Sequence, residues 1–88
     1  MRLDKFLKVS RLIKRRTQAQ IACENDRVFV NNRVAKSSTT VKVGDEIILV
    51  SPVMRLRVKV IQVPESNRVN GDLFTVLEET RMSEEGEL

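Results

Sequence analysis

The nine residues Asp26-Arg27-Val28-Phe29-Val30-Asn31-Asn32-Arg33-Val34, DRVFVNNRV, are where this chain changes period. Val28-Phe29-Val30 is a run of strand-favouring residues, and Asn31-Asn32 accepts positive φ. The stretch therefore reads as a strand, a tight turn and a second short strand through Val34-Ala35. Apolar spacing before it is helical, and after it strand-like.

Working back, Asn25 and Asp26 tolerate the left-handed conformation that ends helices, so a helix stops there. Its apolar positions are Ala19, Ala22 and Cys23, with Ile21 beside them. Thr17-Gln18-Ala19-Gln20 predicts its start as a capping box, with the Thr17 hydroxyl at the N-cap and the Gln20 amide three residues on. Leu3, Phe6 and Leu7, with Arg2, Lys5 and Lys8 between them, predict a first short amphipathic helix. Working forward, residues 37–40 are a polar loop, and Gly44 turns the chain into a buried strand, Ile47-Ile48-Leu49-Val50. Residues 56–63 alternate as a half-exposed antiparallel strand does, and residues 73–77 are placed to pair with it across a loop spanning 64–72. Two packed helices followed by a small antiparallel sheet is an α+β arrangement.

The chain has 88 residues, enough for one small domain. We divide it into residues 1–50, residues 51–77 completing the same domain, and residues 78–88, a Glu-rich segment expected to be a disordered acidic tail. With no histidine and a single cysteine, a disulfide framework, the usual zinc sites and a thiol-imidazole pair are excluded within one chain. Cys23 is expected to be a small buried hydrophobe. No apolar run nears the ~20 residues of a membrane span, and the basic N-terminus lacks the apolar core of a secretory signal, so the cytoplasm is the expected location.

Net charge is +4, distributed unevenly. Residues 1–16 hold seven Lys/Arg against Asp4, a net +6; residues 17–77 are +2, and residues 78–88 are −4. The carboxylate pairs Asp45-Glu46 and Glu78-Glu79 are sequence neighbours in a turn and at a strand end. The glycines form no phosphate cradle, so an enzyme is not expected and no cofactor or metal is implied. The basic segment is different, because Lys14, Arg15 and Arg16 repel one another unless solvent or an anion relieves them. Arginine's planar fork matches phosphate oxygens two at a time, and the start of the second helix adds a positive dipole end. With only three Phe and no Tyr or Trp, single-strand binding by base stacking is disfavoured; shape and phosphate recognition of a structured RNA remains.

Together Arg2-Leu3-Asp4-Lys5-Phe6-Leu7, then Arg11, Lys14, Arg16 and Ala19, then residues 26–34, then Val41-Lys42-Val43-Gly44-Asp45-Glu46-Ile47 resemble the S-four RNA-binding domain, the αL motif named after a small-subunit ribosomal protein. The likeness covers roughly residues 1–50. The opening residues 1–17 and the short chain are most similar to free-standing members of this family that act in bacterial ribosome quality control, themselves related to heat-shock ribosome-binding proteins. That resemblance implies a non-enzymatic monomer that binds large-subunit rRNA and peptidyl-tRNA on obstructed subunits, while RqcH on the same subunit adds C-terminal alanine tails. The RNA-contacting positions it implies are Arg2, Lys5, Arg11, Lys14, Arg15 and Arg16, with Thr17 and Gln18 beside them and Arg2 and Arg16 foremost. Asp4 stands where the family has an acid among these bases, read either as a carboxylate orienting an arginine or as ordinary charge complementation at a helix start. Lys36 and Lys42 are read as solvated lysines that could extend the surface. Where the family often has Gly, this chain has Asp26 and Asn32, both able to visit the left-handed region. The competing reading is a regulatory protein-binding adaptor whose basic face only confers solubility.

Overall fold

A computed structural model describes residues 1–65 and 71–81. In chain order they form helices α1 (Leu3–Val9) and α2 (Arg16–Glu24), then strands β1 (Val28–Val30), β2 (Arg33–Val34), β3 (Glu46–Val50), β4 (Met54–Val60) and β5 (Phe74–Arg81). The strands make one antiparallel sheet in the order β2-β1-β3-β4-β5, and the expected α+β class holds.

Seven residues are too few for a helix to persist in water by itself, so α1 depends on packing. Leu3, Phe6 and Leu7 are fully buried against Val28, Ile47, Val58 and Val60 of the sheet. On α2 the small residues Ala19 and Cys23 face this core, which lets the two helices approach closely. Leu12 and Ile13, in the connection between the helices, pack on the same cluster.

The backbone reverses with residues other than glycine. After α2, Asp26 takes φ 57°, its N–H donates to the Cys23 carbonyl at 3.1 Å and the Arg27 N–H donates to that of Ala22 at 3.0 Å, a Schellman ending. Asn31 and Asn32 take φ 53° and 70°, the double-positive turn that matches strand twist. Asn31 also ties this hairpin to β3: its side-chain oxygen accepts the Glu46 N–H at 3.0 Å, and its amide donates to Asp45 at 3.1 Å. After α1, Arg11 takes φ 65°, a conformation that costs a residue with a Cβ about 1 kcal/mol.

Three expectations need correction. Helix α2 starts at Arg16, with Arg15 at the N-cap and no side-chain cap, so Thr17 and Gln20 form no capping box. The Gln20 amide instead donates to the buried Asp4 carboxylate, a charged acceptor that outcompetes a backbone partner. Strand β4 occupies residues 54–60 rather than 56–63, because Ile61 and Gln62 donate to the Leu73 carbonyl instead of continuing the ladder. Residues 78–81, assigned from their charge to an acidic tail, are the end of β5. Glu78 stands opposite Arg57, with 3.9 Å between their charged atoms, so the Glu-rich start of the segment has a basic partner on β4. The rest of that segment, and residues 66–70 of the loop expected at 64–72, lie outside the described residues.

Candidate nucleic-acid interface

The start of α1 is held by the loop before β3. The Leu3 and Asp4 N–H groups donate to the carbonyls of Thr39 and Ser37 at 2.7 and 3.1 Å, and the Val41 N–H donates to that of Met1 at 2.9 Å. Arg2 is bridged to Thr40 in extended conformation as the N-cap of α1. These bonds satisfy donors that a helix start otherwise leaves open, and they fix where Arg2 and Asp4 emerge.

Among the described residues Asp4 is the one charged residue in the core, with no exposed side-chain surface. Its Oδ1 accepts from Arg2 Nε at 3.2 Å and from the Lys5 backbone N–H at 2.7 Å. Its Oδ2 accepts from a terminal nitrogen of Arg2 at 3.3 Å and from Gln20 Nε2 at 2.9 Å, and lies 3.3 Å from Arg16 Nε. Burial alone pushes this carboxyl up, but the bonds from Gln20, Arg2, Arg16 and Lys5 outweigh it and hold the pKa at about 2. The carboxylate is therefore charged at neutral pH and lets two like-charged guanidiniums share one spot.

The arginines engage it mainly through the inner edge of each fork. Arg16 uses Nε, and Arg2 uses Nε and one terminal nitrogen, while their side chains stay 45% and 51% exposed. Since a guanidinium has five N–H groups, most of each fork remains free for an anion outside. Asp4 sits in the first turn of α1 and within 3.3 Å of a guanidinium nitrogen of each of two arginines.

The other candidates divide into separate groups. Lys5 follows on α1 and is half-buried. Arg15, Thr17 and Gln18 are exposed around the uncapped start of α2, where the first helical bond runs from the Ala19 N–H to the Arg15 carbonyl at 3.0 Å. Arg11 and Lys14 do not join the Asp4 cluster; with Lys8 they line an open groove between the helix connection and the start of β5. Lys36 and Lys42 are exposed, and their backbone groups bond Thr39 and Asp45: each N–H donates to that residue's side chain, and each carbonyl accepts its N–H.

Two participants escaped the sequence reading. Gln20 has the local pattern of a cap, and no local signal connects it with Asp4 sixteen residues away. Lys8 was read as the polar face of α1, and only the approach of β5 puts it in a groove. Cys23 is buried as expected; burial, with the charges of Asp4 and Glu24, pushes its thiol pKa up. Among the described residues no group of His, Cys, Asp and Glu could hold a metal ion, and no helix is long and apolar enough to cross a membrane.

The geometry can be compared with known proteins. The model of the S4 domain matches residues 1–47. The chain is 53% identical over 68 residues to the RQC P-site tRNA stabilizing factor of Halalkalibacterium halodurans, covering 77% of each protein. It is 40% identical over 86 residues to the factor of that name from Bacillus subtilis, covering 96% of this chain and 100% of that one. Among solved structures, the trimeric heat shock protein 15 of Vibrio cholerae superposes with a TM-score of 0.75 at 27% identity, over 86% of this chain and 80% of that chain.

Proposed function

Because this chain belongs to the S4 domain family, alongside relatives named RQC P-site tRNA stabilizing factors, we propose that it is a non-enzymatic RNA-binding factor of ribosome quality control. It binds rRNA of obstructed large ribosomal subunits and the peptidyl-tRNA they still carry. By steadying that tRNA it supports RqcH-dependent C-terminal alanine tailing, and it acts in the cytoplasm as a monomer.

The observation that carries this reading is the Asp4 cluster. A carboxylate with no exposed surface pins two half-exposed guanidiniums side by side. Such an arrangement lowers the ordering cost when a phosphate backbone arrives, since the forks are already placed. Lys5, Arg15, Thr17 and Gln18 supply further charge and donors on the two helices, and Arg11 and Lys14 add charge at the groove beyond the helix connection. Phosphate contacts of this kind set position and register rather than read sequence, which suits a factor that recognises shape.

The test is co-sedimentation with large subunits carrying peptidyl-tRNA. Arg16→Ala is expected to weaken binding about tenfold, the scale of one charge-assisted contact of roughly 1.5 kcal/mol. Lys59→Ala, on β4 away from the cluster, leaves it unchanged. Equal and small effects of the two would sink the proposal. The RqcH part is tested separately, by sequencing alanine tails made with the wild-type protein, with Arg16→Ala and without either.

A further inference from the structure

Lys8, Arg11 and Lys14 lie on one wall of an open groove whose other wall is residues 71–76, and Asp72 is the one acid among the described residues that line it. Three cations against one anion leave a net positive trough. Leu12 and Phe74, both half-buried, contribute its apolar part. Ser10 does not present its hydroxyl there, because that group bonds the Leu7 carbonyl and the Leu12 N–H. Thr75, exposed on β5, offers one instead.

Arg11 adds an independent observation. It holds φ 65°, where glycine would rest without steric cost, yet the position carries a guanidinium lining the trough. Strain retained at a charged surface residue points to a use for that side chain. Lys14 lines the trough and Arg16, two residues on, is held by Asp4, so only Arg15 separates the two groups along the chain.

From this charge and the backbone of Arg11 we infer that the groove between the helix connection and β5 is a second seat for RNA phosphodiester backbone, with Lys8 and Arg11 as its contacts. This rests on the RNA-binding reading above and extends it: the RNA is gripped at two places, the Asp4 cluster and the groove. Backbone is the occupant, because flexible cations along an open trough suit a spaced row of phosphates better than a small anion that needs enclosure.

The experiment measures binding of the full chain to large ribosomal subunits across a salt series, with thermal melting of each variant alongside. Lys8→Ala and Arg11→Gly should each weaken binding three- to tenfold and lower the salt slope by roughly 0.7–0.9, one phosphate apiece. Arg11→Gly should at the same time raise the melting temperature by a few degrees at most, since the relieved strain of about 1 kcal/mol is offset in part by the entropy glycine adds to the unfolded chain. A purely structural role for Arg11 would move stability without weakening binding or changing the slope. Lys8 is exposed on its helix, so Lys8→Ala keeps the test valid whatever Arg11→Gly does to folding. If both variants bind like the wild type with an unchanged slope while Arg16→Ala is weak, the groove is not a seat and the inference falls with the parent reading intact. If Arg16→Ala also binds like the wild type, the parent reading falls too.

Discussion

Arg16 Nε lies 3.3 Å from Oδ2 of Asp4, a carboxylate with no exposed surface, so a residue at the start of α2 is tied to the first turn of α1. Arg2 donates to both oxygens of the same carboxylate. The helix pair is therefore joined both by apolar packing and by one buried charge whose partners face outward.

Asp4→Ala should be costly. It leaves Arg2, Arg16 and Gln20 without their common acceptor and opens space beside Leu3 and Leu7. A loss of about 2–4 kcal/mol in chemical denaturation is expected. Arg2→Ala should cost less, about 1 kcal/mol, because Gln20, Arg16 and the Lys5 N–H still satisfy the carboxylate. A single-mutant ranking in the opposite order would remove Asp4 from the centre of the network.

Stability should also depend on acid in a defined window. Asp4 titrates at about 2 in the fold and near 3.8 when unfolded. A lowered folded pKa contributes stability that is complete above the unfolded value and disappears as pH falls through the folded one. About 2 kcal/mol is thus lost between pH 3.8 and pH 2. Denaturation measured across that range in wild type and Asp4→Asn should show the loss in the wild type only. Gln20→Leu should raise the Asp4 pKa, readable by NMR titration, because it removes one of the bonds that lower it.

Cys23 should be chemically quiet. Its thiol is buried and pushed up in pKa, so it stays protonated near neutrality. Labelling by an aromatic disulfide reagent should be slow in the native protein and should accelerate many-fold in denaturant; fast native labelling would contradict the packing of α2 on the core.

Ending the chain after Leu77 should destabilise the sheet. Residues 78–81 of β5 pair with Arg57, Leu56, Arg55 and Met54, and Leu56 packs on the core. Four cross-strand pairs at a few tenths of a kcal/mol to about 1 each predict a loss of about 1–3 kcal/mol. An unchanged melting temperature would mean that this half of β5 adds nothing.

Local sterics and side-chain period made several features legible along the chain. The 3.6-residue spacing of Leu3, Phe6 and Leu7 marked α1, and the double-positive turn at Asn31-Asn32 marked the hairpin. The left-handed ending at Asp26 and the concentration of cations before residue 17 were equally legible. Each depends on residues within a few positions of one another.

How those pieces meet depends on packing in three dimensions. Gln20 carried the local signature of a capping box, yet a buried charge sixteen residues away claimed its amide. The glutamates at 78 and 79 had the composition of a tail, but β4 offered hydrogen-bond partners and the Arg57 charge, which their own neighbours do not reveal. The basic segment looked continuous along the chain and was divided by folding, with Arg2 and Arg16 drawn to Asp4 while Lys8, Arg11 and Lys14 line a groove against β5. The reason is the same throughout: a buried carboxylate or an open strand edge competes for side chains by proximity in space, and proximity in space is set by the packed core rather than by spacing along the chain.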